Sequence, residues 1–352
     1  MLNLRENILN YYNNKPMERF VTFNEGVQFM IESDFYHERP PFNQDGEDWF
    51  GVRWIWDPML MTYCPDANQK PVLEDITQWR EVVKWPDLDA LDWENATKID
   101  HIDEKFDRTE HASIIWLQNG PFERLHELMG FENCLIALIE EPEEVKAFFD
   151  RWIEYRCKLL DYICQYYKPD VLQVSDDSGT QLAPFYSMDV WEELMHPYWN
   201  AMGEQIRKNG VIPEFHSCGH SEQFFARMSD SPYPSLLIQS INNFDYIEDN
   251  FQRPIGFVPS DLGAVLTVKS HGGKLTVKGL QDWLDDYIAH RIQRSPAGTL
   301  FMVFAPPVPI DDLPEDHVLT EEFEICAYAL KYIMSQSDKY TTWIQEELKK
   351  AS

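Results

Sequence analysis

In the run Pro213-Glu214-Phe215-His216-Ser217-Cys218-Gly219-His220 an imidazole and a thiol stand two residues apart. A strand puts residues i and i+2 on one face, so His216 and Cys218 can converge on one point. Both are borderline-soft donors suited to zinc, and Glu214 and His220 share their face wherever the extended geometry persists. Alone, the pair is not a closed metal motif, and a core histidine beside a small buried thiol is its ordinary reading. Its standing depends on which other polar residues collect around it.

Apolar runs bounded by turn residues occur at 112–117, 171–175, 211–215, 236–241, 255–258 and 300–304. Helical-period segments such as 143–167 and 189–209 separate most of them. Strands alternating with helices imply a parallel sheet, and their number favours an α/β fold of the (β/α)8 TIM-barrel kind over a doubly wound sheet. No G-x-G-x-x-G follows any run, so a dinucleotide fold lacks its phosphate-binding turn. In such barrels the chemistry lies at the carboxyl ends of strands. Those ends carry Gln118 to Glu123, Ser175-Asp176-Asp177-Ser178, the Glu214 to His220 stretch, Gln239 to Asn243, and Ser260-Asp261. Asp176 and Asp177 cannot both face inward if the strand continues, and one of them suits capping the helix that follows. A carboxylate there could serve as metal ligand, general base or anchor for a substrate cation. His196, at helical spacing from Glu192 and Glu193, suits a surface or helix-end role.

The elements that must position these residues begin with a helix over 4–12, an extended segment over 19–23 and a helix through 27–31. Asp48 to Trp56 alternates and is aromatic, a hairpin strand. Residues 1–110 read as an N-terminal covering segment of helical and hairpin additions within a single barrel domain spanning 1–352. The chain is 44% hydrophobic and 14% aromatic, ample for a core. Its 60 acidic against 30 basic residues give a net charge of -30, which repels phosphate backbones and anionic lipid surfaces, so neither nucleic acid nor membrane is expected as a partner. No apolar run approaches a membrane span, and the opening residues lack the pattern of a signal peptide, so a cytoplasmic location is expected. The six cysteines form no C-x-x-C pair or disulfide framework. Cys64, Cys134, Cys157, Cys164 and Cys326 read mostly as packing residues in helices.

Four segments, Gly120-Pro121-Phe122-Glu123, Glu141-Pro142-Glu143-Glu144-Val145, Asp176 to Gln181 and His216-Ser217-Cys218-Gly219, together resemble the uroporphyrinogen decarboxylase superfamily in order and spacing. The likeness takes in Arg5 to Leu9 and Trp49 to Trp54, and is greatest to the corrinoid-linked methyltransferase branch. The resemblance implies a (β/α)8 barrel and, in that branch, zinc held by His-x-Cys and a later cysteine, exchanging a methyl group with a corrinoid (cobalamin) carried on a partner protein. The other partner is a small methyl donor or acceptor: a thiol, tetrahydrofolate or a methoxy compound. His216 and Cys218 then supply two metal ligands. The third is expected near 304–310, where this chain has prolines, and Cys326 would have to reach the site from an outer helix. Glu214, His220, Asp176 or Asp261 could complete the set.

The expected assignments are Asp176, Asp177 and Gln118 as catalytic residues, Gln239, Asn242 and Asp261 as cofactor contacts, and His216, Cys218 and Glu214 as metal ligands. A homodimer is a further expectation. Tetrapyrrole decarboxylation stands second, because a substrate with eight carboxylates calls for clustered arginines and Arg5, Arg19, Arg39 and Arg53 stand apart. A metal-free binding protein on the same scaffold is the third reading.

Overall fold

A computed structural model describes residues 2–58, 62–260, 274–295, 300–302 and 312–351. Helix α1 (Leu4–Tyr12) leads through a short helix, Phe23–Gly26, into strand β1 (Val27–Met30). Strands β2 (Gly46–Glu47), β3 (Arg53–Asp57) and β4 (Thr62–Pro65) form a separate antiparallel sheet. Then follow β5 (Ala112–Leu117), α2 (Pro121–Met129), α3 (Pro142–Tyr167), β6 (Val171–Ser175), α4 (His196–Lys208), β7 (Ile212–Ser217), β8 (Ser235–Gln239) and β9 (Gly256–Ser260). Helices α5 (Val277–Arg294), α6 (Glu322–Ser335) and α7 (Ser337–Ala351) close the chain.

The main sheet is parallel throughout, in the order β1-β5-β6-β7-β8-β9. Every residue of β5, β6 and β8 is buried, which is why these strands read as continuous apolar runs instead of alternating ones. Helix α3 starts at a proline in its first turn and lays Val145, Phe148, Phe149, Trp152, Leu159, Leu160 and Ile163 inward at helical spacing. Among the described residues the parallel sheet has six strands, so the eight expected are met only in part. Two backbone bonds nonetheless reach across its open side: Met302 N–H donates to Pro259 O of β9 at 3.2 Å, and Phe23 N–H, in the short helix before β1, donates to Phe301 O at 3.0 Å. The sheet is therefore curled, with residues 301–302 between β9 and the start of β1. The expected strand over 300–304 is otherwise outside the described residues.

Two readings of the N-terminal segment are corrected. Residues 27–30, expected to be helical, are β1, paired in parallel with β5 from Val27↔Ala112 to Met30↔Ile115. A four-residue apolar run is too short to show its period, and pairing with β5 decides it. The helix lies one step earlier, where Thr22 and Glu25 form a capping box. Asp48 to Trp56 is not one strand either. Asp48 turns the chain by accepting Phe50 N–H at 2.8 Å, Val52 N–H at 3.0 Å and Trp54 Nε1–H at 3.0 Å.

A buried ion cluster fastens this covering segment to the sheet. Glu38 faces Arg156 at 2.8 Å and Arg124 at 3.4 Å, and accepts the Tyr155 hydroxyl. Arg124 also holds Asp48 at 2.6 Å, and Arg156 donates to the Leu117 and Gln118 carbonyls at the end of β5. Neither arginine side chain is exposed to solvent. Removing one partner of a buried ion pair costs about 3–5 kcal/mol because the other charge is left uncompensated. Glu38→Gln is accordingly expected to lower unfolding stability on that scale, read as a lower urea midpoint.

Candidate metal centre

Strands β6 and β7 pair up to Ser175↔His216, and Asp176 N–H donates to His216 O at 3.2 Å, extending the ladder by one residue. Alternation then sends the two aspartates in opposite directions. Asp176 points away from the mouth into the first turn of α2, accepting Phe122 N–H at 3.3 Å, Glu123 N–H at 2.9 Å and Trp199 Nε1–H at 2.7 Å. It therefore caps α2, a helix earlier in the chain, and not the helix that follows it as the sequence suggested. Gly120 makes room for it: a Cβ there would lie 2.3 Å from the Asp176 Cβ. Asp177 turns into the mouth, where its Oδ1 accepts Cys218 N–H at 2.7 Å and lies 3.7 Å from His216 Nε2. Cys218 Sγ is 3.4 Å from the same nitrogen. One donor atom each from Asp177, His216 and Cys218 thus lies within 4.8 Å of the other two.

This grouping fits chelation better than a nucleophile relay. In a relay the acid holds one imidazole nitrogen and the nucleophile the other; here both face Nε2. Bonds of about 2.0–2.3 Å at tetrahedral angles separate ligand atoms by roughly 3.3–3.8 Å, a range that contains the two observed spacings. Burial pushes His216 down to about 4, against the smaller opposing effect of the Glu123 charge, so its ring is neutral near pH 7 and offers a lone pair. Burial raises Asp177, opposed by the Cys218 N–H and the charge of Arg39. Because 37% of the Asp177 side-chain surface is exposed, water moderates that rise.

Glu214 shares a face with His216 but stands apart from the group. Two residues back along β7 puts it about 6–7 Å deeper, in register with Gln173 of β6 and Ser235 of β8. Its oxygens accept Gln173 Nε2–H at 2.6 Å, the Ser235 hydroxyl at 2.7 Å and the Tyr12 hydroxyl at 3.2 Å, a polar layer closed from below by α1. His220 faces Glu222 at 3.4 Å, beyond the end of β7, where strand alternation has stopped. Gln239 and Asn242 hold the loop after β7. Gln239 Oε1 accepts Gly219 N–H at 2.7 Å, and Asn242 accepts Ser221 N–H and donates to Gly219 O, each at 2.9 Å. Gln118 lines a small cavity with Glu32, Tyr36 and Arg39. Cys326 packs in an outer helical cluster with α5. Asp261 and the expected position of a late ligand, 304–310, lie outside the described residues. A larger cavity of about 520 Å³ opens elsewhere, between Trp191, His196, Arg227 and Asp230.

Sequence reasoning passed over two residues at this mouth. Arg39 donates from Nε to Asn119 Oδ1 at 2.8 Å and stacks over Trp54, 4.6 Å from the ring centroid. Glu123 accepts Asn119 N–H at 3.0 Å and Gly120 N–H at 3.2 Å. Glu123 was visible as a polar strand end. For Arg39 the sequence holds no local signal, because 80 residues separate it from Asn119.

Two outcomes follow. Gly219 has φ +96°, and a Cβ on it would lie 2.2 Å from the Gly179 carbonyl oxygen, so Gly219→Ala must move the loop that carries Cys218. A loss of about 2 kcal/mol or more in unfolding stability is expected, together with weakened metal binding, read by denaturation and metal titration. Glu214 is pushed up to about 7 by burial, above its unfolded value. Its contribution is full below the unfolded pKa and is lost as pH rises through about 7, on the order of 3 kcal/mol in all. Urea midpoints of wild type and Glu214→Gln between pH 4 and 8 should therefore differ in slope, with the variant losing less as pH rises.

Among solved structures, a methyltransferase from Methanosarcina mazei aligns over 81% of this chain and 76% of its own, at 11% identity and a TM-score of 0.53, which shows a shared fold. Old Yellow Enzyme from Pichia sp. AKU4542 aligns over 59% of this chain and 61% of its own, at 12% identity and a TM-score of 0.34. A psychrophilic family 10 endo-β-1,4-xylanase aligns over 60% and 73%, at 11% identity and 0.32. These two are too distant to carry an argument. No curated protein matches the sequence. The family model for uroporphyrinogen decarboxylase (URO-D) matches residues 59–255, more than half of the chain and including β5 to β8 with the whole Asp177, His216 and Cys218 group. The chain belongs to the uroporphyrinogen decarboxylase family.

Proposed function

We propose that this protein is a zinc-dependent methyltransferase of the corrinoid-linked kind, exchanging a methyl group between a corrinoid protein and a small methyl donor or acceptor. The observation that carries the reading is the convergence of Asp177, His216 and Cys218 at the carboxyl ends of β6 and β7. Three protein donors with a fourth position open is the pattern of catalytic zinc. Zinc held there would lower the pKa of a thiol or polarise a methoxy oxygen at neutral pH.

The chain's own residues prepare that position. His216 presents Nε2 as a neutral donor, edge-on to the Trp116 ring at 4.8 Å, which limits ring rotation. Asp177 both supplies an oxygen and holds the Cys218 backbone at 2.7 Å, so two ligands are positioned by one bond. A carboxylate in place of a second thiolate leaves the metal a stronger Lewis acid, which suits activation of an oxygen-bound methyl donor as well as a thiol. The fold shared with a methyltransferase supports the reading.

Tetrapyrrole decarboxylation is disfavoured by where the arginines go. Arg124 and Arg156 are buried against Glu38 and Asp48, Arg5 pairs with Asp170 and Arg53 with Asp66. Of the five, Arg39 is the one beside the strand ends, bonded to Asn119, and a single arginine is too little for eight carboxylates.

Metal analysis of protein purified with zinc is the direct test. About one zinc per chain is expected in the wild type, with loss in Cys218→Ala and in Asp177→Ala. Wild-type protein without stoichiometric zinc would leave the metal-free binding reading in its place.

A further inference from the structure

We propose that the cavity between Trp191, His196, Arg227 and Asp230 is a second binding site, and that its ligand is a small organic cation of the alkylammonium class. None of Asp177, His216 or Cys218 lines it, so the inference stands apart from the metal-centre reading.

The cavity comes from a shortfall in the outer layer of helices. In a barrel each strand is followed by a helix that covers it. The connection from β6 to β7 carries α4, thirteen residues long, whereas the connection from β7 to β8 carries a helix of four, Glu222–Phe225. At 1.5 Å per residue these cover about 20 Å and about 6 Å. The space of about 520 Å³ opens beside the short one. Trp191 and His196, at the start of α4, stand on one side of it, Asn250 and Gln252, at the end of the next helix, on the other, and Ser229 and Asp230 between them. That volume is ordinary for a small-molecule site.

The wall on the α4 side is preformed. Trp191–Met195 is a π-helical turn, closed by a bond from His196 N–H to Trp191 O. In an α-helix the facing side chains are three or four residues apart; here residues five apart meet, and the His196 ring stacks on Trp191 at 4.5 Å. Trp191 also stacks on Phe224, with the ring planes 2° apart. Such turns are rare and recur at functional sites.

Acceptors dominate the opening. Glu192 is matched by Arg227 at 3.1 Å, but Asp230 has only His196 as an ion-pair neighbour among the described residues, at 3.3 Å. Burial pushes His196 below its ordinary value, against the opposing charge of Asp230, so the ring is neutral near pH 7. Its Nε2 also accepts Asn200 Nδ2–H at 3.1 Å. Arg253, whose charge also feels Asp230, spends its donors on the Ser229, Ser231 and Tyr233 carbonyls. Asn250 gives its amide N–H to Tyr246 O at 2.8 Å, which keeps its oxygen for a ligand. A carboxylate beside the lone pair of a neutral imidazole is completed by a group that brings positive charge and N–H donors. Among the described residues the donors compact enough for a metal ion converge at Asp177, His216 and Cys218 and not here, so an organic cation fits better than an inorganic one. Ala226 and the edge of the Trp191–His196 stack offer apolar contact to its alkyl part.

The test is a titration of the full chain with n-butylamine, a cation near pH 7, followed by ligand NMR, with n-butanol as the uncharged isostere. The wild type should show one saturable site of about 1 mM or tighter, about tenfold or more tighter for the amine than for the alcohol. Asp230→Asn, which removes the charge, and Ser229→Tyr, which fills the space, should each weaken amine binding about tenfold. Glu132→Gln removes one charge from an exposed helix outside the cavity and should leave binding unchanged, which corrects for the general attraction of cations to a chain of net charge -30. Absence of saturable amine binding to the wild type overturns the proposal, as do equal affinities for amine and alcohol. Binding that survives either cavity variant overturns it too, and so does an equal loss in Glu132→Gln, the mark of a diffuse ion atmosphere.

Discussion

Two guanidinium groups without solvent contact share the Glu38 carboxylate, and the placement of the whole N-terminal segment depends on that arrangement. Arg124 comes from α2 and Arg156 from α3, so Glu38, 86 and 118 residues earlier in the chain, joins its own segment to two of the helices between β5 and β6. Arg156 also donates to two carbonyls at the end of β5, and Arg124 reaches Asp48, which shapes the turn before β3. Stability alone does not call for such a cluster: apolar side chains of similar volume would often hold the same elements as well, without the desolvation cost of burying charge. What charge adds is direction. A carboxylate between two forked donors admits few geometries, and the residue next to it in sequence, Arg39, inherits that fixed position at the mouth.

The metal-binding group is held by a second kind of constraint, backbone contact between neighbouring loops. Ser178 N–H donates to Ser217 Oγ at 3.1 Å, His220 N–H donates to Thr180 O at 2.8 Å, a Cβ on Gly219 would meet the Gly179 carbonyl, and a Cβ on Gly179 would lie 2.7 Å from Ser221 Oγ. Gln239 and Asn242, from the end of the next strand, fasten the same loop. Cys218 is therefore no mobile loop residue, although it lies one position past the last residue of β7. Donors carried on strand ends and locked by such bonds hold their spacing without a metal present, which lowers what a metal ion must spend on ordering its site.

Much of this was legible in the sequence, and the parts that were not share a cause. The runs at 112–117 and 171–175 are strands with those bounds, because buried parallel strands have an unambiguous composition. Their polar ends located the mouth. β1 was misread because four residues do not show a period, and its identity comes from pairing with β5, far along the chain. Glu214 shows the same limit: alternation correctly placed it on the His216 face, yet depth along a strand, invisible in a face assignment, puts it among Gln173, Tyr12 and Ser235. The separation of Asp176 from Asp177 follows from alternation, but which of them turned inward required knowing where α2 begins in space. Arg39 was unreadable because everything that orients it comes from elsewhere in the chain.

On the methyl-transfer reading, the charges at the mouth form one account. A neutral imidazole, a thiolate and a carboxylate around a dication sum to zero, whereas a second thiolate in place of a neutral donor would leave an anion. A neutral centre can take an incoming anion without first repelling it. Yet the same mouth holds Glu123, and the chain as a whole carries a charge of -30, so an anionic reactant approaches against a negative field. Asp177, His216 and Cys218 thus decide what chemistry is available, while the carboxylates around them set the field that a reactant must enter.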